Sequence, residues 1–106
     1  MTTTMTATET ATTEANKTRA LAVGSFVVIE TADRKRAQTC TVVDRFEGEA
    51  LRMIGLQSAS TYLELVLRAD DTVDHVVRWG IRRGATPTIT TLRAMVVMEE
   101  KSTETH

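Results

Sequence analysis

The chain has little of what usually gives a small protein covalent or metal support. Its single cysteine, Cys40, excludes an intramolecular disulfide, and nothing points to an oxidising compartment. Zinc needs about four ligands at characteristic spacing. Cys40, His75 and the scattered carboxylates offer no such spacing, so neither a metal nor a cofactor is expected. No phosphate-binding glycine loop and no serine-histidine-aspartate arrangement is present, and the expectation is therefore not an enzyme. No apolar run approaches the roughly 18 residues of a membrane helix, and the N-terminus lacks the charged and apolar regions of a secretory signal. A cytoplasmic location, with no membrane partner, is the default expectation. Charge of one sign is also missing. The net charge is −1 and the calculated pI is about 6.1, so no global field draws the protein to nucleic acid or anionic lipid.

What is present is unevenly distributed. Residues 1–18 contain nine threonines, with alanine and glutamate making up much of the rest. Such a stretch buries too little apolar surface to offset the entropy of ordering it. Residues 1–20 therefore read as a disordered Thr/Ala-rich tail, and residues 99–106 as a second. The apolar residues concentrate between Leu21 and Met98, which reads as a single domain over 21–98.

Within that domain, Ser25-Phe26-Val27-Val28-Ile29-Glu30-Thr31 and Gln38-Thr39-Cys40-Thr41-Val42-Val43-Asp44 are β-branched and strand-forming. With the polar Ala32-Asp33-Arg34-Lys35-Arg36 between them, they predict a hairpin with a basic tip. Residues 46–58 combine good helix formers, with Phe46, Ala50, Met53 and Ile54 on one helical face, and two glycines that favour a turn and strand. A short helix is the expectation there. Leu63, Leu65 and Leu67 alternate with Glu64 and Arg68, the period of a strand.

Asp70 to Gly84 is the decisive segment. A helix template aligns Val73, Val76, Val77, Gly80 and Ile81 as one stripe. A strand template puts Val73, Val77, Trp79 and Ile81 inward, with Asp74, Arg78 and Arg82 outward. The ends favour the helix: Asp70, Asp71, Thr72 and Asp74 suit an N-terminus, while Arg78, Arg82, Arg83 and Gly84 suit a C-terminus. Thr88 to Met98 closes the domain as a strand. The predicted order is β-β-α-β-α-β, an α+β fold built as a two-layer α/β sandwich on a mixed sheet. If both helices are really strands, the alternative is a small all-β barrel.

Few residues could carry chemistry. Cys40 is the one intrinsically reactive nucleophile, but Thr39 and Thr41 flank it with no charge, and a lone strand cysteine is usually a small buried hydrophobe. His75 would sit in the first turn of the predicted helix and reads as a surface histidine. Arg34, Lys35 and Arg36, together with Arg78, Arg82 and Arg83, could contact phosphate, with Trp79 as a stacking face. Against this, Ala22 to Arg93 carries ten basic and nine acidic residues, so the arginines also fit a solvated, carboxylate-paired face.

Leu63-Glu64-Leu65-Val66-Leu67-Arg68-Ala69-Asp70-Asp71, followed by Val76, Trp79 and Gly84, resembles the TusA/SirA family of small sulfur-carrier proteins. The resemblance spans residues 63–84. It implies a strand ending near Asp70-Asp71, then a helix carrying Trp79 with Gly84 beyond it, and a sulfur-carrying cysteine, for which Cys40 is the candidate. The family's Cys-Pro-x-Pro motif is absent, since Thr41, Val42 and Val43 follow Cys40. The functional expectation is a small cytosolic, non-catalytic binding or carrier module. The alternatives are sulfur carriage through Cys40 and weak nucleic-acid binding through the arginine clusters. A protein partner is also compatible with this reading.

Overall fold

Alternating apolar residues become strands almost everywhere in the computed structural model, which describes residues 14–59, 61–80 and 84–98. A short helix α1 (Glu14–Ala20) precedes β1 (Phe26–Thr31), β2 (Gln38–Glu47), β3 (Arg52–Gln57), β4 (Tyr62–Leu67), β5 (Val73–Trp79), β6 (Thr88–Thr90) and β7 (Leu92–Met98). The strands form one sheet in the order β6-β5-β4-β3-β2-β1-β7, and every neighbouring pair is antiparallel. Only Thr91 separates β6 from β7, yet they occupy opposite edges of the sheet. The sheet must therefore curl until its edges approach each other, forming an incomplete barrel. Its interior is aliphatic: Val27, Val42, Ile54, Leu56, Leu63, Leu65 and Val76 are fully buried.

The two-layer α/β sandwich is corrected to this all-β half-barrel, because neither internal helix forms. Phe46 and Glu47 end β2, and Arg52–Gln57 is β3, so the 46–58 segment is strand, turn, strand. Gly55 has a packing role there. The Tyr62 ring lies over it, and a Cβ at that position would collide with the Tyr62 hydroxyl. The segment from Val73 to Trp79 is β5, paired along its length with β4. The strand-into-helix implied by the family resemblance is thus a β-hairpin in this chain. Its turn uses the very residues that suggested a helix cap. Asp70 Oδ1 accepts from the Thr72 amide (3.1 Å) and hydroxyl (2.6 Å), and Asp71 adopts a positive φ of 72°. Aspartate and threonine satisfy free backbone N–H groups equally well at helix starts and in tight turns, so composition alone could not separate the two.

The phase of β5 is also inverted relative to the strand template. Leu67 pairs with Val73 and Val66 with His75, leaving Asp74 as an extra residue in a β-bulge. Inward positions become Val73, Val76 and Arg78, while Val77 and Trp79 face outward. The bulge supplies a three-residue step between buried valines, which is the step a helix would make.

Residues 14–20, placed by the sequence in the tail, form α1; residues 1–13 and 99–106 lie outside the described residues. Seven residues are too few for an autonomous helix, although Glu14 in its first turn and Lys17 and Arg19 in its last suit the helix dipole. Tertiary contacts hold it. Across the open seam between β5 and β7, Glu14 accepts from the Val73 backbone N–H, and Lys17 Nζ donates to the Met95 carbonyl at 2.6 Å. Thr18 and Leu21 are buried below, and the Thr18 hydroxyl donates to the Asp71 carbonyl at 2.6 Å.

The inverted phase gives a direct test with isosteric changes. Val76→Thr places a hydroxyl in the apolar core and should destabilise by about 1–3 kcal/mol. Val77→Thr, on the outer face, should stay within about 0.5 kcal/mol of the parent. Urea unfolding of the two variants measures both; a larger loss for Val77→Thr would restore the opposite phase.

Candidate functional site

The end of the barrel where β1 turns into β2 and β5 terminates brings together Arg34, Lys35, Arg36 and Arg78, four of the cations that the sequence singled out. Arg78 points inward from β5 and is 5 % exposed. A guanidinium there needs hydrogen-bond partners, and each of its three nitrogens has at least one. Its Nε donates to Asp33 Oδ2 (2.8 Å), Nη1 to Gln38 Oε1 (2.7 Å), and Nη2 to Thr31 Oγ1 (2.8 Å) and Asp33 Oδ1 (3.2 Å). The Asp33 carboxyl is held down to about 2, chiefly by the hydrogen bonds from Arg78 and secondarily by Thr31 and the guanidinium charge, against the opposing effect of burial. The β1–β2 loop is fixed further by its backbone. The Ala32 N–H donates to the Thr91 carbonyl (2.9 Å), the Asp33 N–H to Thr90 Oγ1 (3.2 Å), and the Arg34 N–H to the Thr31 carbonyl (3.2 Å).

Arg78 is therefore a structural tie and not a surface phosphate contact. Its pairing has a consequence for its neighbours. Asp33 is the only acid between β1 and β2, and it is occupied by Arg78. Arg34, Lys35 and Arg36 make no ion pair among the described residues, and with Gln38 they line a concave surface of about 260 Å³. Trp79 follows Arg78 on the outer face, 39 % exposed, and its Nε1 donates to Glu64 Oε1 at 3.1 Å. Arg82 and Arg83 lie outside the described residues.

Cys40 faces the barrel interior from β2 and is 1 % exposed. Burial pushes its thiol up to about 11; the cation that acts on it in the opposite sense is Arg78, not the Arg34-Lys35-Arg36 triplet. His75 sits on β5, and its Nδ1 lies 2.7 Å from Asp74 Oδ2. Among the described residues, no group of three or more His, Cys, Asp or Glu is placed to hold a metal, and no helix is long and apolar enough to cross a membrane.

The sequence reading missed a second polar network, at the opposite end. Arg45 is turned inward by a bulge at Val43 and donates from Nη1 to the carbonyls of Thr18 (2.7 Å) and Leu21 (2.5 Å), satisfying the C-terminal end of α1. Its other bonds go to Glu47, which also binds Arg52 at 3.1 Å; Arg52 continues to Asp71, and Asp71 to Arg19 at 2.8 Å. Arg19 and then Arg52 hold Asp71 below its ordinary range. Every charge in this chain of contacts is answered within the protein, which marks it as architecture. The i, i+2 spacing of Arg45 and Glu47 was visible in the sequence, but not their partners on α1. On another face, Phe26 opposite Met98 and Val28 opposite Val96 make an uncharged row across β1 and β7. No protein-family model matches the chain, and neither curated proteins nor solved structures give a match.

Two outcomes follow from this geometry. The folded value of Asp33 lies below its ordinary 3.8, so its contribution is complete above about pH 4 and is lost as pH falls towards 2. Asp33→Asn should therefore be less stable than the parent at pH 7, by at most about 2 kcal/mol, with the gap closing below pH 4. Denaturation midpoints across pH report this directly, and a gap that persists at pH 2 would contradict the ion pair as its source. Cys40 should alkylate slowly at pH 7 in the folded state and rapidly once denaturant opens the barrel, and Cys40→Ser should cost about 1–3 kcal/mol.

Proposed function

We propose that the protein is a non-catalytic binding module of the cytoplasm whose ligand is a polyanion held at the Arg34-Lys35-Arg36 end of the barrel. One observation carries this reading. Arg19, Arg45, Arg52, Arg68 and Arg78 are each engaged by a carboxylate, whereas three consecutive cations project from an anchored loop with no carboxylate partner among the described residues. Like charges side by side repel, and the nearest acid, Asp33, is held by the buried Arg78. A ligand carrying regularly spaced negative charge would relieve that repulsion.

Anchoring adds to affinity. The loop is tied to β5 by Arg78 and to the β6–β7 junction by backbone hydrogen bonds, so little backbone entropy remains to be lost on binding. The balanced net charge does not oppose local attraction, because at physiological ionic strength the field of distant charges decays within about 8 Å. The runner-up reading, sulfur carriage, asks for an exposed thiolate; the buried, raised thiol of Cys40 supports the binding module instead.

Binding should be electrostatic in origin. Affinity for a single-stranded polyanion should fall linearly in log–log form with salt, and replacing Arg34, Lys35 and Arg36 together by Ala should make that slope shallower by about 2. The fold should survive, since none of the three side chains is buried. Fluorescence anisotropy of a labelled oligonucleotide at stepped salt concentrations measures the slope. Equal affinity and slope for parent and triple variant would remove the proposed site.

A further inference from the structure

We infer that the polyanion is single-stranded nucleic acid, with Trp79 as the surface on which a base stacks at the same barrel end as the basic loop. The inference rests on the polyanion reading above and adds the ligand's chemical class. Its basis is the placement of an aromatic ring where an ordinary charged rim would serve solubility better. Trp79 ends β5, one residue after Arg78, and the Arg78 side chain reaches across the barrel end to Asp33, the residue preceding Arg34. The indole and the basic triplet therefore share one end of the molecule.

The ring is also held in place. Its N–H is engaged by Glu64, and Tyr62 is its direct cross-strand neighbour, so stacking a base on it need not freeze a freely rotating side chain. The apolar surface continues outward from there: Val77 lies two residues earlier on the same face, opposite Ile89, which is 69 % exposed. A base offers a flat apolar face and its phosphates offer charge, and both complementary features occur at this barrel end. Inorganic polyphosphate has no such face, and a duplex keeps its base faces stacked inside. Neither would use Trp79. Glu64 disfavours phosphate near the indole itself, which places the phosphates towards the loop and a base at the ring.

Trp79 is the only tryptophan, so its emission reports on this position alone. The full chain would be titrated at low salt with an oligothymidylate of about 12 nucleotides, within the range of single-strand site sizes, and separately with inorganic polyphosphate of similar charge. The oligonucleotide should quench the tryptophan and polyphosphate should not. Trp79→Ala should weaken oligonucleotide binding about 5- to 100-fold while leaving polyphosphate binding unchanged, and Trp79→Phe should recover part of the loss. Oligonucleotide binding without quenching, or equal oligonucleotide affinity for parent and Trp79→Ala, would overturn the stacking inference while leaving the polyanion reading in place. Failure of both probes to bind would overturn the polyanion reading together with it.

Discussion

A curled sheet that does not close has two edges facing each other, and their free backbone groups have to be covered for the barrel to persist. Here the seam lies between the first half of β5 and the length of β7. An exposed pair of edges would invite other chains to add strands. Helix α1 fills the gap with side-chain groups of the appropriate sign: a carboxylate for an amide of β5 and an ammonium for a carbonyl of β7. The dependence is mutual. A helix of seven residues is held by the seam, and the seam is covered by the helix. Leu21, directly after it, completes the apolar interior at that end.

The bulges matter as much as the seam. Each adds one residue to a strand and so exchanges its two faces beyond that point. At Val43 the exchange turns Arg45 towards α1; at Asp74 it turns Arg78 towards the β1–β2 loop. Two arginines, one on β2 and one on β5, are thereby delivered to opposite ends of the barrel. There their planar, multiply donating heads can collect carbonyls and carboxylates while their stems stay against apolar neighbours. A lysine at either place could not make the same forked set of contacts.

Charge is therefore organised locally while the whole chain is nearly neutral. Near α1, arginines and acids alternate through Arg19, Asp71, Arg52, Glu47 and Arg45, so that each of the three arginines is engaged by a carboxylate. At the other end Arg78 takes Asp33, the only acid between β1 and β2, and the triplet beyond it makes no ion pair among the described residues. A net charge of −1 describes neither end. The same buried arginine thus ties the fold together and leaves the adjacent surface positive, which links the stability of the barrel end to its proposed use.

Local pattern was enough to mark β1, β2 and β4, because β-branched and alternating apolar residues there agree with one secondary structure only, but the single strand expected over Thr88 to Met98 is two, β6 and β7, which the break at Thr91 sends to opposite edges of the sheet. It also marked the basic hairpin tip and the setting of Cys40, a small side chain among β-formers that the structure buries. It did not settle residues 46–58 or 70–84, where glycines, valines and aspartates satisfy two templates equally. There the outcome came from β4, whose leucines offered a partner for Val73, Val76 and Arg78 once Asp74 was looped out. Nor did it reveal α1, since the propensity of seven residues is marginal without a seam to fill. The sequence by itself determined which segments are apolar, where they alternate and where cations cluster, because those properties belong to neighbours along the chain. Tertiary structure alone decided which face of β5 is inward, that α1 is ordered, and that Arg78 is buried while Arg34, Lys35 and Arg36 are not. Those outcomes depend on bulges and edge groups defined only when distant strands pair.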